Sequence, residues 1–270
     1  YADYGFDVMQ LAEQDGQGRK DDEYHTQYLA QHNLSDQWDV WDQVLTERQH
    51  APDIYWHTYG ARRSELPFEH YHTTWITDRA QEYLMVPERR EKPFFTWISY
   101  IKPHHPFDPP APYDTKYDPD HVPVPSPVDG WQQKPLLTVD GDPRNAYFDT
   151  RLMTEAQLKN IIAHYYGLIS HIDDSIGQLV EILKAQGLYQ NTLIVFTSDH
   201  GDYLGQYGLF LKHPNIPYDA LAKVPLIFAG GALQSAQRRL DARVSLIDLF
   251  PTFLDLAQVD HATRYQGMNL

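Results

Sequence analysis

Cysteine is absent from the 270 residues of this chain. Its absence excludes disulfide bonds and thiolate metal sites, and it leaves the redox compartment open. Long apolar runs are absent too, because the longest, Phe94–Ile101, is much too short to span a bilayer. A metal site would therefore need nitrogen and oxygen ligands, and the sequence predicts no membrane span.

Positive charge is scarce. Lysine and arginine total 22 against 37 aspartate and glutamate residues, which gives a formal net charge of −15. Such a surface repels nucleic acid and anionic lipid, so we expect neither as a partner. An anionic substrate would need a local positive focus, such as a metal ion or a buried lysine.

The ends of the chain lack the usual signals. Tyr1 stands where an initiator methionine would be, and no signal-like segment follows it. We expect a piece of a longer polypeptide, with a processed mature chain as the alternative. The sequence indicates neither the compartment nor the oligomeric state.

Periodicity predicts an α/β fold. Thr154 and Gln157 form a capping-box pair before a long amphipathic helix, and Gly187 is a natural stop. Apolar runs without alternation predict strands covered on both faces. The predicted helices are Asp21–Asn33, His72–Val86, Thr154–Gln186 and Asp248–Ala257, and the predicted strands are Phe94–Ile101, Leu193–Thr197 and Val224–Ala229. This order favours a layered sheet flanked by helices.

Candidate metal ligands follow the second predicted strand. Asp199 and His200 come directly after TLIVFTS, and ligands of open α/β sheets bind at the carboxyl ends of strands. A carboxylate and an imidazole there can hold a divalent cation. The alternative is a turn in which Asp199 accepts hydrogen bonds from nearby backbone amides. Asp202 is interpreted as a support or loop cap rather than a ligand.

Two candidate catalytic residues lie on other segments. His104 follows the Phe94–Ile101 run, between prolines that restrain its backbone, and could contact an ester oxygen or protonate a leaving group. His105 competes for that role. Lys212, thirteen residues after Asp199, could neutralise charge on an oxyanion.

Several motifs together resemble the sulfatase family of the alkaline phosphatase superfamily. FTSDHGDYLGQYGLFLKH, PYDALAKVPLIF and VSLIDLFPTFLDLAQV resemble its C-terminal signature region. KPFFTWISYIKPHHPFDPP resembles its strand followed by a Pro-His-x-Pro loop, and YYGLISHIDDSIGQLVEIL resembles its helix before the metal strand. The resemblance is closest to arylsulfatases and phosphonate monoester hydrolases of bacteria, and it covers nearly the whole chain.

The resemblance implies a role for each candidate. Asp199 and His200 would bind one divalent metal ion, with Ca²⁺ first and Mn²⁺ or Mg²⁺ as alternatives. His104 would contact the sulfate and assist the leaving group, and Lys212 would bind a sulfate oxygen and the leaving oxygen. Many members have an arginine where this chain has Lys223, which loses the bidentate fork, so that position receives no role.

The resemblance also implies parts that the chain does not contain. The family's nucleophile is a formylglycine made from Cys or Ser in a Cys/Ser-x-Pro-x-Arg motif, and no such motif occurs here. We therefore expect residues 1–270 to be a partial sulfatase catalytic domain with an alkaline phosphatase-like fold, a layered mixed sheet incomplete at its N-terminus. The nucleophile and further metal ligands would lie upstream.

The predicted function is metal-dependent hydrolysis of a small-molecule or carbohydrate sulfate ester. One alternative is a phosphonate monoester or phosphate diester hydrolase on the same scaffold. The other is an inactive fragment, because we expect the 270 residues alone to lack turnover and to bind metal weakly.

Overall fold

The structure is a computed structural model that describes residues 5–12, 22–35, 51–125, 153–212, 217–233, 239–259 and 265–270. The helices are α1 (Leu29–Gln31, preceded by a π-turn at Tyr24–Tyr28), α2 (Asp53–Thr58), α3 (His72–Met85), α4 (Glu155–Ala185), α5 (Asp219–Ala222) and α6 (Leu249–Leu256). The strands are β1 (Ile194–Thr197) and β2 (Leu226–Ala229). None of the helices in these ranges is long and apolar enough to cross a membrane.

Neighbouring residues set both ends of helix α4. The Thr154 hydroxyl accepts a hydrogen bond from the Gln157 backbone amide at 3.2 Å, and the Gln157 side chain accepts one from the Thr154 amide at 2.8 Å. At the other end, Gly187 adopts φ 71°, and the Leu188 amide donates to the Leu183 carbonyl at 2.8 Å. Both the capping box and the glycine stop are confirmed, since each depends on neighbouring residues only.

Three further predictions hold with small shifts. The helix predicted at His72–Val86 ends at Met85, and the one predicted at Asp248–Ala257 is Leu249–Leu256. The strand predicted at Val224–Ala229 begins at Leu226 and pairs antiparallel with β1, from Ile194 opposite Ala229 to Thr197 opposite Leu226. The helix predicted at Asp21–Asn33 corresponds to α1 and the π-turn before it, and Asp21 lies outside the described residues.

The predicted strand at Phe94–Ile101 was wrong, because this segment forms no strand among the described residues. Its exposure alternates instead. Phe94 and Ile98 pack against α3 and α4, whereas Trp97 is 71% exposed. Alternation with period two indicates an extended chain with one covered face, and strand assignment also needs a hydrogen-bonded neighbour.

Helices flank this extended segment on both sides. Apolar residues of α3 and α4 form one cluster with Phe94, Ile98 and Ile194 of β1. On the opposite face the Phe95 ring lies 6.1 Å from the Phe253 ring of α6. The α/β class predicted from the sequence is therefore confirmed, and the described sheet consists of two antiparallel strands.

The proline-rich loop after residue 103 is docked on α4. The Tyr113 hydroxyl donates to Asp174 at 2.7 Å, and the Tyr113 ring stacks on the buried His171 ring with centroids 4.7 Å apart. Gly167 makes this approach possible, because a Cβ at Gly167 would lie 2.4 Å from the Tyr113 carbonyl oxygen. The loop that carries His104 is thus continuous with a segment fixed to the longest helix.

Two glycines of α4 should respond in opposite ways to alanine. Gly167→Ala is expected to lower the free energy of unfolding by about 1–3 kcal/mol, because backbone must move to admit the methyl group. Gly177→Ala is expected to raise it by about 0.5–1 kcal/mol, since alanine favours helix and the new Cβ meets nothing within 4 Å. Urea unfolding of both variants measures the difference, and equal effects would show that the loop does not dock here.

Candidate active site

The His104 imidazole is held in one tautomer. Its Nδ1 lies 2.7 Å from the His105 carbonyl oxygen, which can only accept, so Nδ1 carries the proton. Its Nε2 lone pair then faces the Lys212 ammonium at 3.5 Å. Residues 108 positions apart in the sequence thus meet at one point.

Burial lowers the pKa of His104 to about 4, against an ordinary value of 6.5. The hydrogen bond to the His105 carbonyl opposes that shift, while the charges of Lys212 and Lys102 and the ring of His105 strengthen it. The imidazole is therefore neutral near pH 7. A bound anion would favour its protonation, because a nearby negative charge stabilises the cationic form.

His105 is a packing residue. It is 1% exposed, its Nε2 donates to the Tyr59 carbonyl at 3.1 Å, and its ring edge meets Phe107. A Cβ at Gly60 would lie 2.3 Å from that Nε2, so the glycine leaves the space that His105 fills. Of the two histidines that the sequence left in competition, His104 is the one that faces Lys212.

Asp199 and His200 lie together immediately after β1. His200 Nδ1 donates to the Gly201 carbonyl at 2.7 Å, which leaves Nε2 as the lone pair, 3.5 Å from Asp199 Oδ2. The Asp199 side chain is 84% exposed, and its Oδ1 accepts from the His200 amide at 2.9 Å, as the alternative turn interpretation has it. One carboxylate oxygen and one ring nitrogen thus lie 3.5 Å apart.

This pair suits a divalent cation as part of a ligand set. A histidine that binds metal through one nitrogen usually donates from the other to a carbonyl or carboxylate, which is the arrangement of His200. Within the ranges that the structure describes, no group of three or more His, Cys, Asp or Glu side chains could hold a metal ion. Asp199 and His200 therefore offer two donor atoms, fewer than the three that such a group requires.

The loop from Asp199 to Lys212 doubles back on itself. The Tyr203 amide donates to the Leu211 carbonyl at 3.0 Å, and the Gly201 amide donates to the Leu221 carbonyl at 2.9 Å. Lys212 follows Leu211 directly. Of the four predicted site residues, the structure pairs His104 with Lys212 at one end of this loop, and Asp199 with His200 at the other.

Asp202 sits inside the loop and caps it. Its Oδ1 accepts from the Leu204 amide at 2.9 Å, in agreement with the interpretation as a loop cap. Burial raises the pKa of Asp202 to about 6, while hydrogen bonds from backbone amides and the rings of His105 and His200 oppose that shift. The Asp202 carboxylate therefore interacts electrostatically with His105, in the loop that carries His104, and with His200.

A buried ion pair that was not predicted from the sequence lies in the loop that carries His104. Lys102 Nζ donates to Asp108 Oδ1 at 2.5 Å, and the two side chains are 2% and 11% exposed. The available signal was a lysine and an aspartate that bracket the Pro-His-His-Pro run six residues apart. Buried lysine is rare without a partner, but nothing in the sequence indicates that Lys102 is buried.

Comparison with known proteins identifies the family of this chain. The family model described as Sulfatase matches residues 5–259. An arylsulfatase of Clostridium perfringens is 34% identical over 203 residues, which are 73% of this chain and 40% of that protein. The multifunctional alkaline phosphatase superfamily protein PehA of Trinickia caryophylli is 32% identical over 232 residues, 80% of this chain and 42% of its own length.

A solved structure shares the fold over most of the chain. The phosphonate monoester hydrolase of Silicibacter pomeroyi superimposes with a TM-score of 0.64 at 27% identity, covering 86% of this chain and 49% of that one. The chain thus spans half or less of the length of each relative. Because the family match extends over most of its residues, the chain belongs to the sulfatase family.

Proposed function

We propose that this chain forms part of an enzyme that hydrolyses sulfate esters with the help of a divalent cation. The observation that carries the proposal is the contact between His104 Nε2 and Lys212 Nζ, taken together with the carboxylate–imidazole pair that follows β1. Family membership and the arylsulfatase relative support it. The substrate would be a small-molecule or carbohydrate sulfate ester.

Asp199 and His200 would hold the cation, through Oδ2 and Nε2. When bound, the cation would withdraw electrons from the ester oxygens and offset the negative field of this acidic protein. Ca²⁺ is the first candidate because it is the ion that the family resemblance implies, and Mn²⁺ and Mg²⁺ are the alternatives.

Lys212 and His104 would act on the departing alcohol oxygen. The Lys212 ammonium donates hydrogen bonds to the charge that develops there, and a preorganised donor of this kind needs no rearrangement during the reaction. His104 enters neutral, since its pKa lies near 4, and its Nε2 would take up a proton from solvent water when the anionic ester binds and then give that proton to the departing oxygen. Together the two side chains provide both charge compensation and a proton at the leaving group.

The nucleophile is proposed to come from residues that are not among the 270 of this sequence. The resemblance implies a formylglycine, but the chain has no cysteine and no Ser-x-Pro-x-Arg motif. The chain is therefore proposed to be one part of the catalytic domain rather than the whole of it.

A second candidate is hydrolysis of phosphonate monoesters or phosphate diesters. It is favoured by the similarity to the phosphonate monoester hydrolase structure over 86% of this chain. A tetrahedral sulfate and a tetrahedral phosphonate present similar oxygens to the same four side chains. The charge of the ester and the nature of its leaving group then decide which of the two esters is hydrolysed faster.

The test compares 4-nitrophenyl sulfate with 4-nitrophenyl phenylphosphonate as substrates of the full polypeptide, loaded in turn with Ca²⁺, Mn²⁺ or Mg²⁺. We expect turnover of the sulfate to exceed that of the phosphonate, to fall to background with EDTA and to return with the metal. The 270 residues alone are the control and are expected to show no turnover. Higher turnover of the phosphonate would favour the second candidate, and no metal-dependent turnover of either would exclude both.

A further inference from the structure

The loop that carries His104 is held from within by Lys102. An ammonium group has three hydrogens to donate, and Lys102 Nζ has three acceptors, all of which lie between residues 104 and 108. They are the His104 carbonyl at 3.2 Å, the Pro106 carbonyl at 2.5 Å and the Asp108 carboxylate at 2.5 Å. A single buried charge thus fixes five consecutive residues.

Asp108 ties this arrangement to the core. Its Oδ1, which accepts from Lys102, also accepts from the Tyr71 hydroxyl at 3.1 Å. Tyr71 is fully buried and is the N-cap residue of α3. The loop is therefore attached, through Asp108 and Tyr71, to the start of helix α3 rather than to the solvent-exposed surface.

The two carbonyls that Lys102 holds are those on either side of His105. Between them lies the His105 carbonyl, which accepts from His104 Nδ1 at 2.7 Å. Fixing the flanking peptide groups fixes the direction of that middle carbonyl. The direction in turn decides which nitrogen of His104 carries the proton and which faces Lys212.

Stability alone does not explain a buried ion pair. Replacing such a pair with apolar residues of similar volume is often neutral or stabilising, because desolvation of the two charges offsets their attraction. Lys102 and Asp108 form hydrogen bonds that fix the geometry of the loop, and two leucine side chains would not form them.

We propose that Lys102, anchored by Asp108, is a positioning residue that keeps the proton of His104 on Nδ1 and directs Nε2 to Lys212. The catalytic consequence of this placement rests on the proposed function, whereas the placement itself does not. Lys102 touches no substrate in this arrangement and acts through His104.

The test replaces the pair in two ways. Lys102→Met leaves the Asp108 charge buried and unpaired, so it can also unfold the protein. The double variant Lys102→Met with Asp108→Leu removes both charges and is expected to remain folded. Lys184→Met is the matched control, because Lys184 is half exposed and pairs with Glu181 on the surface of α4.

Two readouts separate positioning from a structural role. Long-range ¹H–¹⁵N correlation spectra of histidine report the tautomer of His104, which we expect to be Nδ1–H in the parent and the control and mixed in the double variant. In the full enzyme kcat should fall on the order of 10²-fold in the double variant, with a much smaller change in KM, because misplacement by about 1 Å has that effect.

Each outcome decides the proposal. A double variant that folds and keeps both the Nδ1–H tautomer and the parent kcat would overturn it, as would a parent with the proton on Nε2. A tautomer change in a protein without esterase activity would support the positioning role and contradict the proposed function instead.

Discussion

Replacing Lys212 with methionine is expected to lower kcat/KM for an aryl sulfate about 10²–10³-fold in the full enzyme, the range seen when one preorganised oxyanion donor is removed. Lys212 is the cation that meets His104 at 3.5 Å, and methionine keeps its length without its charge. The same change should raise the pKa of His104 from about 4, because the Lys212 charge is one of the causes that lower it.

Two measurements on the same variant check this expectation. Steady-state kinetics give the change in kcat/KM, and the ¹H chemical shift of His104 as a function of pH gives its pKa. Lys184→Met is the control, since Lys184 is half exposed and pairs with Glu181 on the surface of α4. A Lys212 variant with the parent kcat/KM would remove Lys212 from the mechanism, and an unchanged His104 titration would show that the two side chains do not meet in solution.

The free energy of unfolding is expected to fall steeply as pH drops from 6.5 to 4. His104 and His171 have a pKa of about 4 in the folded protein, and burial also holds the pKa of His72 well below its ordinary value of 6.5. Because the unfolded chain binds more protons in this window, each such histidine contributes a slope of about 1.4 kcal/mol per pH unit. Asp202, with a pKa raised to about 6, acts in the opposite sense and offsets part of the effect.

His171 allows the histidine contribution to be isolated. It is 2% exposed, Thr74 Oγ1 lies 3.2 Å from its Nε2, and its Nδ1 has no hydrogen-bond partner. Protonation would place a charge among the Phe68 and Tyr113 rings that pack against the His171 ring. His171→Phe should therefore reduce the loss of stability between pH 6.5 and 4 by about 3 kcal/mol.

Urea unfolding at half-unit steps of pH measures both profiles. His121→Phe is the control, because the His121 side chain is 84% exposed and pairs with Asp118 on the surface. The control should follow the parent profile. Parallel profiles for the parent and the His171 variant would show that His171 becomes protonated without cost in the folded protein.

Local features of the fold were predictable because they depend on neighbours in the chain. The capping box of Thr154 and Gln157 and the stop at Gly187 are set by hydrogen bonds within five residues. The segment Phe94–Ile101 shows the limit of such reasoning. Its composition favours an extended chain, but a strand exists only where another segment pairs with it, and this segment has no strand pairing within the described ranges.

The candidate site, too, was predictable only in part from the sequence. Through the family resemblance, motif order and spacing made His104, Lys212, Asp199 and His200 the candidates, but they did not give the distances between these side chains. The choice between His104 and His105 needed burial, since adjacent residues of the same type are chemically equal until one is enclosed.

The sequence by itself determined the three longest of the described helices, the α/β class, the family and four candidate residues for its chemistry. Only the tertiary structure decided that His104 meets Lys212, that His105 is packed away and that Lys102 and Asp108 hold the loop from below. The physical reason is that a motif fixes residue types and order, whereas proton positions and buried charges depend on atoms brought together across the chain.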